Sequence, residues 1–392
     1  MRVAALGDRA ARQPELTVVE LPQASLDSGL DLPGDSTWAI ALRRSLLAWY
    51  AETGRDLPWR RSRDPYAIWI SEIMLQQTQV TTVMPYYQRW LVAFPTVQAL
   101  AAADQTAVLK QWEGLGYYAR ARNLHRAAQQ VAQEHDGVFP KTFALALTLP
   151  GIGRTTAGGI LSAAFNQKTA ILDGNVKRVL ARLVALDRPP AKALAPLWAI
   201  SEALIDPDYP RDFNQALMDL GATVCKPKQP ECDRCPWRSH CQSYNLGIQS
   251  EIPMREAARP VPHKIIGVAV IWNKSGKILI DRRRQEGLLG GLWEFPGGKL
   301  EPGESLEDCV RREVKEELDI EIAVDDQLMS LDHAYTHLKV TLEVFNCRYL
   351  SGEPKPLECD EMLWVTLDEI EQYPFPKANT KIIAALKAAA SN

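Results

Sequence analysis

The sequence predicts two unlike folded parts in one chain, an all-α region followed by an α+β module. Three observations carry this expectation. From Thr37 to about Gly221 apolar residues recur at helical spacing between Gly and Pro breaks, and no stretch alternates as a strand would. Beyond residue 263 the period changes: KIIGVAVIW and KILIDRR are β-rich runs joined by the turn Asn273-Lys274-Ser275-Gly276. Between the two parts lie four cysteines within seventeen residues, Cys225, Cys232, Cys235 and Cys241.

Length and composition bound the rest. A chain of 392 residues is long for one core and divides into two or three domains. Its 46% hydrophobic and 24% charged content is that of a soluble globular protein. No apolar run reaches the ~18–20 residues a bilayer span needs, and the N-terminus lacks the layout of a secretory signal. The net charge of −3 hides an asymmetry: residues 38–245 carry 24 Lys and Arg against 17 Asp and Glu, whereas residues 246–392 carry 18 against 25. The basic half fits contact with phosphates and equally fits a solvated surface. Three further cysteines are scattered singly, which argues for a reducing, cytoplasmic setting.

In chain order, residues 1–36 have no sustained period and read as a mobile N-terminal extension. Thr37 is the expected N-cap of a first helix running to Tyr50. Residues 37–224 form the all-α domain, and 225–245 the cysteine loop. Residues 246–262, with Pro253 and two further prolines at 260 and 262, read as a linker. The module at 263–392 adds a helix near 305–318, strands at 338–349 and a closing helix near 377–389.

The all-α domain is organised around LPGIGRTTAGGILSAAFNQKTAILDGNVKRV, residues 149–179. Gly151-Ile152-Gly153 suits a turn with φ > 0, and the helix expected from Arg154 to Phe165 would leave N–H groups able to hold a phosphate. By itself that triplet is an ordinary helix corner. Asp173 precedes a second helix, expected over 176–186, and an Asp there is an N-cap more often than a catalyst. Upstream, DPYAIWISEIMLQQTQV (64–80) places Glu72 among apolar neighbours, where desolvation would make it a usable general acid. Pairing with a nearby arginine is the plainer alternative. Gly114-Leu115-Gly116-Tyr117-Tyr118-Ala119-Arg120-Ala121-Arg122 interleaves glycine, aromatics and arginines, as a nucleic-acid contact or as a packed corner with solvated arginines.

Together, SEIMLQQTQV, the Gly151–Gly153 hairpin and ILDGNVKRV resemble the MutY-type adenine DNA glycosylases of the helix–hairpin–helix Gly/Pro-Asp superfamily. The resemblance implies that Glu72 protonates the adenine leaving group and that Asp173 stabilises an oxocarbenium-like sugar, the two-carboxylate logic of glycoside hydrolysis. Gln77 would fill the space left by the extruded base. Gly151, Gly153, Thr155, Asn175 and Lys177 would contact DNA. Endonuclease III-type relatives carry a Schiff-base lysine where this chain has Thr155, so a lyase step is not expected.

The spacing Cys225-x6-Cys232-x2-Cys235-x5-Cys241 has one close pair, whereas zinc knuckles usually have two. It resembles the 4Fe–4S loop of the same families, with all four cysteines as ligands. Around it Lys226, Lys228, Arg234 and Arg238 suggest positive charge presented to phosphates.

In the C-terminal module, GGKLEPGESLEDCVRREVKEELDI (297–320) places Glu313, Glu316 and Glu317 on one helix face, a repulsive set unless a cation intervenes. With Gly298, Glu304 and Arg312 they resemble the Mg²⁺-binding Nudix box, with Asp319 where the box has Gly. The module is similar to MutT-type 8-oxo-dGTP hydrolases. That likeness implies a further carboxylate at Glu358, a nucleotide contact at Arg283 and a base-reading role for Asn379. The run His333-Ala334-Tyr335-Thr336-His337 resembles the loop by which MutY-type enzymes read 8-oxoguanine, with Tyr335, Thr336 and His337 as the readers. Two roles stay open for the module, a reader alone or a reader that also hydrolyses 8-oxo-dGTP.

The sequence is thus identified with a multidomain chain: an all-α helix–hairpin–helix glycosylase domain with an iron–sulfur loop, then an α+β Nudix-like domain. The expected partner is double-stranded DNA containing A:8-oxoG or A:G, met by a monomer associated with the cytoplasmic nucleoid and not with a membrane. The alternatives are an endonuclease III-type pyrimidine glycosylase/lyase and a nucleotide pyrophosphatase tethered to a DNA-binding domain.

Overall fold

The computed structural model describes residues 36–256, 260–287, 289–335 and 338–390. The expected N-terminal extension, apart from Ser36, and the reader residues Thr336 and His337 lie outside the described residues. The helical region comprises α1 (Thr37–Thr53), α2 (Pro65–Met74), α3 (Val80–Ala93), α4 (Val97–Ala102), α5 (Gln105–Trp112) and α6 (Ala119–Glu134). It continues with α7 (Phe143–Thr148), α8 (Arg154–Phe165), α9 (Gly174–Leu183), α10 (Leu194–Leu204), α11 (Pro210–Asp219) and the single turn α12 (Gln242–Asn245). The module contains β1 (His263–Trp272), β2 (Ile278–Arg283), β3 (Trp293–Glu294), β4 (Gly297–Lys299), α13 (Leu306–Leu318), β5 (Glu321–Tyr335), β6 (Leu338–Ser351), β7 (Cys359–Val365) and α14 (Lys377–Ala390). Among the described residues no helix is long and apolar enough to cross a membrane.

Contacts divide the chain into two compact units, each built from two separated stretches: residues up to 56 with 166–256, and 57–165 with the chain from 257 onward. In the first unit α1 starts one residue earlier than expected, because the Ser36 hydroxyl, not Thr37, caps it by accepting from Ala39 N at 3.2 Å. Its core gathers Leu42, Leu46, Val176, Leu180, Leu197, Phe213 and Trp237. Trp237 Nε1 donates to Leu42 O at 2.9 Å, which satisfies a buried donor and ties the cysteine loop to α1. Helix α9 begins and ends earlier than the expected 176–186, since Asp173 caps it directly and Ala185 turns left-handed at φ 48°.

In the second unit α2–α8 enclose Trp69, Trp90 and Trp112, with Trp90 and Trp112 packed edge to face at 5.5 Å. Leu292 of the module is fully buried in this same helical core.

The module is a seven-stranded sheet in the order β3-β2-β1-β6-β5, with β4 against β1, β7 against β2, and β1 parallel to β6. The strand period of two explains its layers. Val268 and Val270 of β1 point into one core with Ile382 and Leu386 of α14, and Ala269 and Ile271 into another with Val310, Val314 and Leu318 of α13. Strand β5 was not legible because bulges between Val324 and Met329 break its alternation around Asp325 and Asp326. Asp319 ends α13 in the left-handed conformation (φ 56°), the backbone a glycine would supply, with its carboxylate held by Lys315 and Lys355 at 2.9 and 3.0 Å.

Candidate functional site

Helix α2 is buried on nearly every side, with Glu72 half-buried. Asp64 caps it by accepting from Tyr66 N at 3.0 Å and Ala67 N at 3.3 Å, and Pro65 fills the first position. Helix α8 passes so close that a Cβ on Gly159 would lie 2.7 Å from Glu72 Oε2 and 3.0 Å from its Cδ. A glycine inside a helix weakens it, and here it makes room for the carboxylate. Where α8 begins, Gly151 (φ 79°) and Gly153 form the expected turn, exposed together with Arg154, and Thr155 is half-buried in the first helical turn. First-turn amides have no partner within their own helix, which leaves this end suited to an anion.

After α2 the chain makes a tight turn in which Gln77 is exposed and left-handed (φ 58°). Gln76 Nε2 anchors the turn by donating to Thr156 Oγ1 of α8 at 3.0 Å. Arg120, one of the arginines read as a possible DNA contact, is instead turned inward onto this segment and donates to Ile73 O, Met74 O and Gln76 O. Arg122 donates to Gly290 O and Gly287 O of the module. Of the two readings the sequence allowed, the packed corner is the one seen in these bonds, with its arginines held by carbonyls and not simply solvated. The module is docked through main chain elsewhere too: Lys110 Nζ donates to Tyr373 O at 3.0 Å, and Phe375 N to Glu113 Oε1 at 2.8 Å.

This docking forms a cavity of about 490 Å³. Its lining includes Gln77, Tyr117 and Tyr118 from the helices and His333, Ala334 and Tyr335 from the module. Two residues singled out separately in the sequence, Gln77 and Tyr335, therefore meet on one surface. The Tyr335 ring packs edge-on against His333 at 4.6 Å, and burial raises its hydroxyl pKa.

Asp173 belongs to the other unit. As the N-cap of α9 it accepts from Val176 N at 2.7 Å, and Asn175 Nδ2 donates to its second oxygen at 3.2 Å. Asn175 is itself held, since Arg178 Nη2 donates to its Oδ1 at 2.8 Å and to Gly221 O at 2.7 Å, while Nε reaches Cys225 O at 2.8 Å. Gly221 allows this approach: a Cβ there would lie 2.6 Å from Asn175 Cβ and 3.2 Å from its Cα. Lys177 is half-buried on the first turn of α9, its N–H bonded to Asp173 O at 2.9 Å.

Cys225, Cys232, Cys235 and Cys241 line one small cavity with Arg182 and Tyr244. Arg182, 2% exposed, donates to Cys225 Sγ at 3.3 Å and to Ile252 O and Lys226 O at 2.7 Å. Burial holds the Cys235 thiol up at about 12 and Cys241 at about 11, so ligand binding there must displace protons. Among the described residues no three His, Cys, Asp or Glu side chains converge as ligands of a single ion. The positive face expected around the loop is largely neutralised within it. Glu231 pairs with Lys226 and Arg234, and Asp233 with Arg238 at 3.1 Å.

On α13 the expected acidic face is present, and its cation is Arg312. Its guanidinium binds Glu304 at 2.8 and 3.0 Å, Glu313 at 2.9 Å and Glu316 at 3.2 Å. Gly298 lies so near that a Cβ would meet the Glu313 carboxylate at 2.1 Å. Glu317 turns away, accepting from Gly297 N at 3.0 Å. Burial, then Glu294, holds Glu317 up at about 8. Asp281, 4% exposed, is held well above its ordinary value by burial and by the same neighbour. Arg283, expected to contact a nucleotide, is engaged by Glu294 at 2.5 and 2.7 Å. Asn379 is buried near the start of α14, and Glu358 is exposed.

A family described as HhH-GPD superfamily base excision DNA repair protein matches residues 70–199, and the NUDIX domain family matches 267–385. The adenine DNA glycosylase of Homo sapiens is 36% identical, over 95% of this chain and 78% of its own length. The chain belongs to the adenine DNA glycosylase family. The Mus musculus member is 37% identical over 89% of this chain and 78% of its own. A solved thermostable thymine-DNA glycosylase is 30% identical, with a TM-score of 0.50 over 53% of this chain and 97% of its own. That likeness covers about half of this chain.

Two residues of this adenine DNA glycosylase family member escaped the sequence reading, and a third was read without its partners. Gly159 had a local signal, two adjacent glycines in a helix. Gly221 had none, because its neighbour Asn175 is remote in sequence. Arg120 was noticed for its charge, and only its hydrogen bonds reveal that it faces inward.

Proposed function

We propose that this chain excises adenine opposite 8-oxoguanine or guanine in double-stranded DNA by hydrolysing the N-glycosidic bond. The observation that carries the reading is the cavity on which Gln77 and Tyr335 meet. A pyrimidine glycosylase/lyase would not need the module there, and a tethered pyrophosphatase would not need Gln77. The hairpin at Gly151, Gly153 and Thr155, with Lys177, grips the phosphate backbone. The adenine is extruded, at least cost from a mispair, and Gln77 takes its place in the stack. Glu72 donates a proton to the departing base as the bond between base nitrogen and sugar carbon breaks, and the bonding electron pair leaves with the base. Asp173, oriented by Val176 N–H and Asn175, stabilises the cationic sugar until water adds to it, leaving an abasic site. Thr155 offers no amine for a Schiff base, so the strand stays intact until alkali is added.

Tyr335, with Thr336 and His337, reads the oxidised base in the opposite strand. The domain boundaries 37–224, 225–245, 246–262 and 263–392, a monomeric state and a nucleoid-associated cytoplasmic location belong to the same proposal. Cys225, Cys232, Cys235 and Cys241 fit a 4Fe–4S cluster, because four thiols line one cavity. When bound, the cluster would brace this loop behind the Arg178–Asn175–Asp173 chain. Magnesium fits the Nudix-like acidic face in charge and not in geometry, since Arg312 already occupies Glu313 and Glu316. Hydrolysis of 8-oxo-dGTP, with Glu317, Glu358, Arg283 and Asn379 in the roles their resemblance implies, would require Arg312 to let go.

The test is incubation with an A:8-oxoG duplex followed by alkaline cleavage. Asp173→Asn should abolish excision and keep duplex binding. Near-normal single-turnover excision by that variant would remove Asp173 from the mechanism.

A further inference from the structure

We infer that Arg120 is the positioning residue that presents Gln77 and Tyr117 together into the cavity, and that it acts on excision through that pair. The inference rests on the proposed reading of this cavity, in which Gln77 enters the space left by the adenine and Tyr335 reads the other strand. Gln77 and Tyr117 are both left-handed, with φ of 58° and 49°. Residues with side chains persist there only where their surroundings hold them. Both line the same cavity, and Tyr117 is 44% exposed. The peptide plane entering each of them carries the carbonyl of the preceding residue. Arg120 Nη1 donates to Gln76 O at 2.6 Å, and Nη2 donates to Gly116 O at 3.1 Å. One guanidinium therefore holds the plane ahead of each left-handed residue.

Its remaining bonds reinforce the same two turns. Nη1 reaches Ile73 O and Met74 O, both at 2.9 Å, at the end of the helix that carries Glu72. Nη2 reaches Leu115 O and Thr78 Oγ1, both at 3.2 Å. Among the described residues Arg120 has no carboxylate partner, and its two terminal nitrogens serve carbonyl and hydroxyl oxygens. Desolvation lowers its pKa to about 10, and its Nε is buried without a hydrogen bond. It lies over the rings of Trp112 at 5.1 Å and Tyr117 at 5.5 Å. Such a group is too encumbered to reach a phosphate, and a planar fork is the shape that spans two turns at once. A lysine ammonium on a flexible stem does not reproduce it.

The experiment is a mutant cycle read by single-turnover excision from an A:8-oxoG duplex. Arg120→Lys is compared in the wild-type chain and in the Gln77→Ala/Tyr117→Ala chain, each below its melting transition. About a tenfold loss or more is expected in the first background and less than about twofold in the second, because the side chains it presents are already gone. Equal losses in both backgrounds, or no loss in the wild-type chain, would overturn the inference and leave Arg120 a scaffold residue. Should the lysine variant melt early, Arg120→Gln is carried through the same cycle and held to the same outcomes. Activity of the wild-type chain on this duplex reports separately on the proposed function, and its failure there would overturn that reading and this one together.

Discussion

Replacing Gly159 by Ala tests the placement of Glu72 without altering a reacting atom. The added Cβ would lie 2.7 Å from Oε2, about 0.7 Å inside ordinary contact at 3.4 Å. What must yield is the end of a flexible side chain, so the fold should accept the methyl group. Alanine is favoured over glycine inside a helix by about 1 kcal/mol, and the melting temperature should hold or rise. The end that yields, however, is the carboxylate proposed as the proton donor. Misplacement of a reacting group by ~1 Å costs on the order of 10²-fold, so a loss of about 10- to 100-fold is expected, or ~1.4–2.7 kcal/mol in the barrier. Single-turnover excision from an A:8-oxoG duplex measures the rate, and titration of the same duplex measures affinity, which should not change. A Gly159→Ala chain that excises at the wild-type rate would refute the argument that α8 sets the position of this carboxylate.

Other outcomes follow from the same contacts. Gly221→Ala meets backbone at Asn175 as well as side chain, with nothing flexible to move, so both excision and ~1–3 kcal/mol of stability should be lost, measured by denaturant melts. Glu317 titrates near 8 in the folded chain against an ordinary 4.5. Between those values the folded chain keeps a proton that the unfolded chain has released, so its contribution to stability falls as pH rises from 4.5 to 8. In metal-free buffer Glu317→Gln should flatten that fall, gaining at most about 4 kcal/mol by pH 8, and an unchanged pH profile of melting would contradict the burial argument. Purified protein should contain about four irons per chain, and stoichiometric zinc without iron after anaerobic preparation would exclude the cluster.

The placement of the candidate residues was legible where local pattern carries it. Asp173 caps the helix it precedes, as its position ahead of that helix suggested, and the four cysteines share one cavity. The chemistry expected of them and of Glu72 came from the family resemblance. Helix α8 was bounded correctly because glycine precedes it and its apolar residues keep one period. Other features depend on residues far apart in the chain. Gly221 matters because Asn175 lies against it, and Arg122 because Gly287 and Gly290 turn carbonyls toward it. A charge reads the same in a sequence whether it faces a phosphate or a carbonyl. That is why Arg120 and Arg312 changed meaning once their partners were known. Strand β5 failed for a local reason, its bulges shifting the alternation that marks a strand.

The burial of Leu292 in a core otherwise made by residues 57–163 bears on how the chain is synthesised. A ribosome delivers the helices first, yet the segment that seals them is made well over a hundred residues later. The bonds from Lys110 to Tyr373 and from Glu113 to Phe375 span more than 260 residues. Closures of such high contact order come late, after local helices have formed. The nascent helical half therefore waits with an apolar seam uncovered until the module arrives.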